Sequence, residues 1–286
     1  MIQLIASDMD GTLLAPYTSE VSAQAKAQID RLIRHGILFC PASGRQYPCL
    51  KMMFEPLGDR IPYICENGAA VIVGGEAIAT APLDKVRGRQ LMQEIMDHPC
   101  NEIQTNVVHT CYLQPKSQEY LDLMNGVGNH NTVVDDIFTT LEEDLLKISV
   151  YCPDGVTPEY LAHLQDTYGD VFQVLQSSAN FIDATAKGIN KGWGMARLAE
   201  YLAIPTEDII AMGDHNNDME VLQLVGHPIA MAGGLSHVQQ IAEKVIVKVE
   251  DFLDDLITAI EQNREEEFMQ KKCPPGQYHF VYDENH

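Results

Sequence analysis

Apolar strands alternate with amphipathic helices at both ends of the chain, and this alternation restricts the fold more than any other feature. Residues 2–7 form a short apolar run, residues 21–35 have helical spacing, and residues 36–42 form a second apolar run. The last third repeats the order, with predicted helices at 190–202, 217–224 and 251–260 and predicted strands at 208–212, 228–232 and 244–247. Strands that alternate with helices form parallel sheets covered on both faces. The two ends therefore predict a doubly wound α/β domain.

The middle of the chain has a different pattern. Helical stretches at 86–96, 118–125 and 158–168 alternate with predicted strands at 102–107 and 146–150, in which polar and apolar residues alternate. Such strands suit an α+β module whose sheet has one solvated face. We therefore predict an inserted α+β domain at 85–183 and a core built from 1–84 and 184–286. The length of 286 residues fits two domains of about 150 residues each.

The charge of the chain restricts its partners. Forty-one acidic residues against nineteen basic ones give a formal net charge of −22, which repels nucleic acid and anionic membrane surfaces. No apolar run approaches the roughly 20 residues of a membrane helix, and the N-terminus lacks a basic region. We expect a cytoplasmic protein with no nucleic-acid or membrane partner. Seven scattered cysteines without a Cys-x-x-Cys pair predict neither a disulfide framework nor a zinc site.

Two acidic residues follow the first predicted strand and form the strongest local signal. In extended backbone, residues i and i+2 point the same way, so Asp8 and Asp10 present their carboxylates to one site, and Gly11 allows a sharp turn. Adjacent carboxylates need a cation or a shared proton, which indicates a Mg²⁺ site that handles phosphate oxygens. A solvated Asx-type turn is the structural alternative.

Three further polar segments are predicted to lie at the same edge of the sheet, because of the strands and helices that flank them. They are Ser43-Gly44-Arg45, Asn190-Lys191-Gly192 and Gly213-Asp214-His215-Asn216-Asn217-Asp218. Each has a structural alternative: a generic turn for the first, a solvated lysine for the second and helix capping for the third. All four elements are nevertheless predicted at the carboxyl ends of strands, where open α/β sheets bind ligands. Their common placement favours a phosphate-handling site.

The four elements resemble the motifs of the haloacid dehalogenase superfamily, in its Cof-type branch of magnesium-dependent phosphatases. The matching residues, in order, are Asp8-Met9-Asp10-Gly11-Thr12, Ser43 in Ala-Ser-Gly-Arg, Lys191 in Asn-Lys-Gly, and Gly213 to Asp218. Glu66-Asn67-Gly68-Ala69 is also similar to a segment of that branch. The resemblance covers both ends of the chain and implies that the insertion is a cap domain that selects the substrate.

The resemblance also implies roles for individual residues. Asp8 would be the nucleophile that forms an aspartyl-phosphate, and Asp10 would protonate the leaving oxygen and then activate water. The implied phosphate-binding residues are Ser43, Gly44, Lys191 and Asn217. The implied Mg²⁺ ligands are Asp8, the main-chain carbonyl of Asp10, Asp214 and, through water or in an outer position, Asp218. One departure is Gly233, which stands where Cof-type relatives usually carry Asn.

The implied activity is hydrolysis of small phosphorylated metabolites, with sugar phosphates as the first class and phosphorylated cofactors as the second. An acid at position 10 favours rapid hydrolysis or phosphoryl transfer over a lasting aspartyl-phosphate. Two alternatives stay open: a phosphomutase acting on sugar phosphates, and a non-catalytic regulator that binds phosphorylated metabolites. The expected partner is the small phosphorylated substrate, and the expected assembly is a monomer or a homodimer.

Overall fold

The computed structural model describes residues 1–14, 20–126 and 130–271. The chain divides into two compact units. The first contains Met1–Gly44, Leu50–Ile78 and the chain from Asn190 onward, and the second contains Arg45–Cys49 and Ala79–Ile189. The second unit thus extends beyond the predicted insertion at 85–183 on both sides. The predicted junction at 183/184 falls inside a strand, Phe181–Ala186.

The described residues contain strands of three to six residues. In chain order they are β1 (Leu4–Ser7), β2 (Leu38–Pro41), β3 (Tyr63–Cys65), β4 (Ala70–Val73), β5 (Glu76–Thr80), β6 (Glu102–Asn106), β7 (Cys111–Leu113), β8 (Asn131–Val133), β9 (Lys147–Tyr151), β10 (Phe172–Gln176), β11 (Phe181–Ala186), β12 (Ile209–Gly213), β13 (His227–Met231) and β14 (Lys244–Ile246).

The helices in chain order are α1 (Ala23–Arg34), α2 (Tyr47–Met53), α3 (Lys85–Asp97), α4 (Gln118–Gly126), α5 (Ile137–Thr140), α6 (Pro158–Tyr168), α7 (Lys191–Leu202), α8 (Met219–Leu224), α9 (Ser236–Ile241), α10 (Val249–Glu261) and α11 (Glu265–Gln270). Short 3₁₀ turns occupy Gly58–Arg60, Glu66–Gly68, Thr206–Asp208 and Asn216–Asp218. The predicted helix at 217–224 is therefore a 3₁₀ turn followed by the shorter α8. None of the described helices is long and apolar enough to cross a membrane.

A five-stranded parallel sheet forms the centre of the first unit. Its strand order is β14-β13-β12-β1-β2, with β1 paired in parallel to both β12 and β2. From β1 the chain proceeds to β2 on one side, and from β12 it proceeds to β13 and β14 on the other. Right-handed crossovers then place α1 and α8 on opposite faces, which is the predicted doubly wound arrangement. The order reverses between β1 and β12, and ligands bind at such points.

The helices α1 and α10 pack together because both are amphipathic. Ser22 caps α1 by accepting a hydrogen bond from the main-chain N of Ala25, and its hydroxyl donates to Glu250 at 2.8 Å. Gln28, which is buried in α1, donates to the carbonyl oxygen of Glu250 at 2.8 Å. Glu250, which is only 7% exposed, therefore joins the start of α10 to α1.

A six-stranded sheet with the order β10-β11-β9-β6-β7-β8 forms the second unit. Pairing is antiparallel except between β7 and β8. On one face, Ile103, Ile148 and Ile182 pack in a single apolar cluster with residues of α3 and α6. The prediction of a solvated second face is wrong for β6, whose five residues are all buried. Hydrogen bonds make this burial possible, such as the one that Gln104 donates to Asn106 at 2.9 Å.

Candidate active site

A buried lysine joins two buried carboxylates at the carboxyl edge of the parallel sheet. The Nζ atom of Lys191 donates to Oδ1 of Asp8 at 2.5 Å and to Oδ1 of Asp218 at 2.7 Å. Lys191 and Asp218 are both 0% exposed and Asp8 is 8% exposed. Buried charges are costly unless they are paired. The three side chains therefore form one unit whose positions depend on each other.

The first strand positions Asp8. Ser7 ends β1, and the main-chain N of Asp8 donates to the carbonyl oxygen of Met212 in β12 at 2.9 Å, which extends the parallel pairing by one residue. The carbonyl oxygen of Asp8 accepts from the Ser7 hydroxyl at 2.8 Å and from the main-chain N of Leu13 at 3.3 Å. Asp8 thus lies at the end of a strand with its main chain fixed by three hydrogen bonds.

The helix α7 supplies Lys191 from its first turn. Asn190 caps this helix, because its side chain accepts a hydrogen bond from the main-chain N of Trp193 at 2.9 Å. The prediction that all four motifs follow strands of the parallel sheet is wrong for this one, because the preceding strand, β11, belongs to the six-stranded sheet. A lysine at a helix N-terminus opposes the helix dipole. The carboxylates of Asp8 and Asp218 compensate for that placement.

The turn after β12 brings a third carboxylate to the site. Asp214 accepts a hydrogen bond from the Thr12 hydroxyl at 3.3 Å. Gly11 has a φ of +86°, and a Cβ at Gly11 would lie 2.4 Å from Oδ2 of Asp214. Only glycine tolerates both this positive φ and the close approach of the Asp214 carboxylate without strain. The Asp8-x-Asp10-Gly11 pattern therefore brings the first motif directly against the fourth.

Asp218 holds the fourth motif together while it pairs with Lys191. Its Oδ2 atom accepts from the main-chain N of Asp214 and from that of His215, both at 3.0 Å, and its Oδ1 atom accepts from Lys191. Both oxygens are thus engaged inside the protein. The sequence indicated only an outer or water-mediated metal contact for Asp218. The structure adds a specific role, because Asp218 fixes Lys191 and the Asp214 turn together.

Burial perturbs the protonation of the site. It raises the pKa of Asp8 to about 7, with Lys191 acting in the opposite direction and Asp218 adding repulsion. Burial, followed by the charge of Asp218, also raises the pKa of Asp214. Burial alone would lower the pKa of Lys191, but Asp8 and Asp218 raise it above its ordinary value. Lys191 is therefore protonated at neutral pH. Its single positive charge faces three carboxyl groups, those of Asp8, Asp214 and Asp218.

The carboxylates fit a divalent cation. One oxygen from each of Asp8, Asp214 and Asp218 lies within 4.8 Å of the others. These three groups with Lys191 carry a net charge of −2 when all are ionised. Mg²⁺ prefers carboxylate oxygens and would balance that charge. The cluster contains side-chain oxygens only, and the Asp10 carboxylate, which is exposed, is not among them; the ligand predicted from Asp10 is its main-chain carbonyl.

The second motif follows β2 and is tied to a residue with no role assigned from the sequence. Ser43 is 2% exposed, and its carbonyl oxygen accepts from the main-chain N of Asn67 at 2.9 Å. A Cβ at Gly44 would lie 3.1 Å from Nδ2 of Asn67. Asn217 donates from Nδ2 to Oδ1 of Asn67 at 3.3 Å. Asn67 thus lies between the second and fourth motifs. Its position in the Glu66-Asn67-Gly68-Ala69 segment was the available sequence signal.

The departure at Gly233 leaves space beside the site. Among the described residues, no atom lies within 4 Å of the position that a Cβ on Gly233 would occupy. The next residue differs, because a Cβ on Gly234 would lie 2.7 Å from the carbonyl oxygen of Asp214. The missing Asn side chain therefore removes a possible polar contact without changing how the Asp214 turn is packed.

Comparison with known proteins agrees with this arrangement. A family model described as haloacid dehalogenase-like hydrolase matches residues 5–254. The chain is 28% identical to the 5-amino-6-(5-phospho-D-ribitylamino)uracil phosphatase YitU of Bacillus subtilis over 255 residues, covering 87% of this chain and 93% of that protein. It is 27% identical over 230 residues to the Escherichia coli phosphatase YbjI, which has the same descriptive name, covering 80% and 85%.

A solved structure has the same fold. The crystal structure of a protein from Eubacterium rectale superposes with a TM-score of 0.82 at 25% identity, covering 89% of this chain and 99% of that one. The similarity extends over nearly the whole of the solved chain, so it includes elements of both compact units.

Proposed function

Because the chain belongs to the haloacid dehalogenase-like hydrolases, we propose that it is a magnesium-dependent phosphatase of small phosphorylated sugars and sugar alcohols. The observation that carries this proposal is the contact of Lys191 with both Asp8 and Asp218 beside the carboxylate of Asp214. A nucleophile, a cation for the phosphoryl group and a candidate metal site then meet at one edge of the sheet. Aspartyl-phosphate chemistry requires that combination.

Asp8 is the proposed nucleophile. An oxygen of its carboxylate attacks phosphorus, the bond from phosphorus to the leaving oxygen breaks, and the phosphoryl group is transferred to Asp8. The hydrogen bond from Lys191 orients the carboxylate, and the buried ammonium offers a donor to phosphoryl oxygens. Burial raises the pKa of Asp8 in the metal-free protein, and a cation bound beside it would lower that pKa and favour the ionised carboxylate.

Asp10 is the proposed acid and base. Its protonated carboxyl gives a proton to the leaving oxygen, and the resulting carboxylate then accepts a proton from the water that attacks the aspartyl-phosphate. Its exposed side chain is suited to exchange protons with substrate and water, whereas Asp8 and Asp218 are buried. The water attack releases inorganic phosphate and restores the Asp8 carboxylate, so atoms and protons balance over the cycle.

The remaining motif residues hold the phosphoryl group. Ser43 would donate its hydroxyl and Gly44 its main-chain N–H, while Asn217 would orient a phosphoryl oxygen through its carboxamide. Asp8, Asp214 and the carbonyl of Asp10 would hold Mg²⁺, with Asp218 adjacent. The ion would supply positive charge for the phosphoryl oxygens. Asp218 keeps both Lys191 and the Asp214 turn in place throughout.

The substrate class is inferred from the relatives. The two curated relatives are named as phosphatases of a molecule that carries a phosphorylated ribityl chain. A phosphorylated ribityl chain is a polyol phosphomonoester, which is chemically related to the sugar phosphates that the family resemblance implies. The Ala79–Ile189 part of the second compact unit is the candidate cap domain that selects among leaving groups.

The test is a panel of phosphorylated metabolites, run with Mg²⁺ and with a chelator, with Asp8→Asn as the blank. The panel contains hexose and pentose phosphates, pyridoxal and flavin phosphates, and 5-amino-6-(5-phospho-D-ribitylamino)uracil. We expect release of inorganic phosphate that requires both Mg²⁺ and Asp8. Isomerisation of a sugar phosphate without net release would indicate a mutase, and binding without turnover would indicate a regulator; either result contradicts the proposal.

A further inference from the structure

Three consecutive residues in the segment Glu66–Gly68 have left-handed backbone. Their φ angles are 51° for Glu66, 52° for Asn67 and 103° for Gly68. This backbone conformation is strained for residues other than glycine, and it is kept only where the surrounding structure imposes it. Among the described residues, only two other non-glycine residues, Ala203 and Asn263, have positive φ. The paired occurrence at Glu66 and Asn67 therefore needs an explanation from their contacts.

The segment fixes the main chain of the second motif. The main-chain N of Asn67 donates to the carbonyl oxygen of Ser43 at 2.9 Å, and the main-chain N of Ser43 donates to the carbonyl oxygen of Ile64 at 2.9 Å. Ser43 is thus held on both sides by the chain that leads into the left-handed segment. With an extended backbone at Asn67, the chain beyond it would leave in another direction.

The same segment packs against the start of α7, where Lys191 lies. A Cβ added to Gly68 would lie 2.0 Å from the carbonyl oxygen of Asn190, and one added to Gly194 would lie 3.0 Å from Cα of Gly68. Main chain therefore meets main chain without an intervening side chain. The first turn of α7 is consequently fixed relative to the loop that holds Ser43.

The Asn67 side chain makes the third connection. Its Oδ1 atom accepts a hydrogen bond from Nδ2 of Asn217 at 3.3 Å. Asn217 is exposed, and it lies in the 3₁₀ turn that ends at the buried Asp218. This bond restrains the exposed carboxamide of Asn217. One short segment thereby contacts the second, third and fourth motifs.

From these contacts we infer that Glu66–Gly68 positions the phosphoryl-binding groups, and that Asn67 is a positioning residue that acts through Asn217. The inference rests on the proposed phosphatase function. A turn with only a structural role would give a different result, because replacing Asn67 by glycine would relieve the left-handed backbone and leave turnover unchanged. A positioning role requires the carboxamide of Asn67 itself.

The experiment compares Asn67→Gly, Asn217→Ala and the double variant, with p-nitrophenyl phosphate and Mg²⁺ as the assay. Loss of one hydrogen bond predicts a drop in kcat of about tenfold for Asn67→Gly, with KM changed less than about threefold. The thermal midpoint of Asn67→Gly should equal or exceed that of the wild type. The double variant should be no slower than the slower single variant, because both changes disable the same group.

The matched control is Asn263→Gly. Asn263 also has a left-handed backbone, with a φ of 56°, and it is exposed near the end of α10, away from the motifs. This variant should keep the wild-type kcat and KM. Relief of left-handed backbone is common to both glycine variants, so a difference between them in turnover isolates the Asn67 side chain.

The outcomes separate the two proposals. Wild-type turnover in Asn67→Gly, or losses that multiply in the double variant, would overturn the positioning role and leave the phosphatase proposal intact. A loss confined to KM would also count against it. A wild-type chain that hydrolyses no phosphomonoester would overturn both. A slow Asn67→Gly variant with an unchanged thermal midpoint, and no further loss in the double variant, would support the positioning role.

Discussion

Replacing Lys191 by methionine should strongly destabilise the metal-free protein. Lys191 is fully buried and donates to Asp8 and Asp218 at 2.5 and 2.7 Å. Methionine fills a similar volume but carries no charge. The Asp218 carboxylate would keep its two main-chain donors, whereas Asp8 would lose its charged partner in a site where it is 8% exposed.

The magnitude follows from the burial of the pair. Removing one partner of a buried ion pair costs about 3–5 kcal/mol, because the remaining charge stays buried without compensation. In a chain of this size, 1 kcal/mol corresponds to a shift of about 2–4 °C in the thermal midpoint. The expected decrease for Lys191→Met is therefore about 6–20 °C in metal-free buffer. Protonation of Asp8 relieves part of this cost, so the decrease should be smaller at pH 5 than at pH 8.

Differential scanning fluorimetry in a chelator at pH 5 and pH 8 measures this effect. The control is Lys85→Met, which removes an exposed lysine whose Nζ atom lies 2.8 Å from Asp144 in an ion pair at the protein surface. Exposed pairs contribute about 0–1 kcal/mol, so the control should shift the midpoint by no more than about 4 °C. A Lys191→Met protein as stable as this control at pH 8 would refute the assignment of Lys191 as the charge that stabilises the site.

Three further predictions concern the same site. Burial raises the pKa of Asp8 from 3.8 to about 7 in the folded protein, so at pH 5 the folded chain holds a proton that the unfolded chain has released. The free energy of unfolding of the metal-free protein, measured by urea denaturation, should therefore fall between pH 5 and pH 8. The fall should be less steep in Asp8→Asn. Gly11→Ala should abolish turnover by displacing Asp214, whereas Gly36→Ala, also at positive φ but with no described atom within 4 Å of the added Cβ, should not; steady-state kinetics decide. Asp10→Asn should lower kcat by about 10²–10⁴-fold with an unchanged thermal midpoint, and a normal kcat would refute its role.

The sequence predicted the parts of the fold that depend on local pattern. Short apolar runs and helical spacing predicted the strands and helices of the parallel-sheet domain, because its strands are buried on both faces and its helices bury one apolar face. The Asp8-x-Asp10-Gly11 pattern indicated paired carboxylates, and β1 does place Asp8 at the carboxyl edge. Lys191 was predicted in the first turn of a helix of the core and, by resemblance, as a phosphate ligand; that the strand before it, β11, belongs to the six-stranded sheet was not foreseen.

What was not predicted depends on contacts between distant residues. The burial of β6 could not be read from its polar residues, because pairs such as Gln104 and Asn106 satisfy each other only once the sheet has formed. Asp218 binds Lys191 as well as its own turn, and Lys191 lies in α7, which a 3₁₀ turn and β12 separate from Asp218 along the chain. The Glu66-Asn67-Gly68-Ala69 segment was noted by resemblance, but the contacts of Asn67 with Ser43 and Asn217, which indicate its role, form only in the folded chain.

The most direct test of the central claim is to trap the phosphorylated enzyme. The Asp10→Asn variant, which should accumulate the intermediate because its hydrolysis is slowed, is mixed with p-nitrophenyl phosphate and Mg²⁺, quenched in acid and analysed by mass spectrometry. We predict that one phosphoryl group is attached to the peptide containing Asp8, and that the Asp8→Asn chain carries none. Phosphate release at the wild-type rate by Asp8→Asn, or a phosphoryl group on any other residue, would contradict the account.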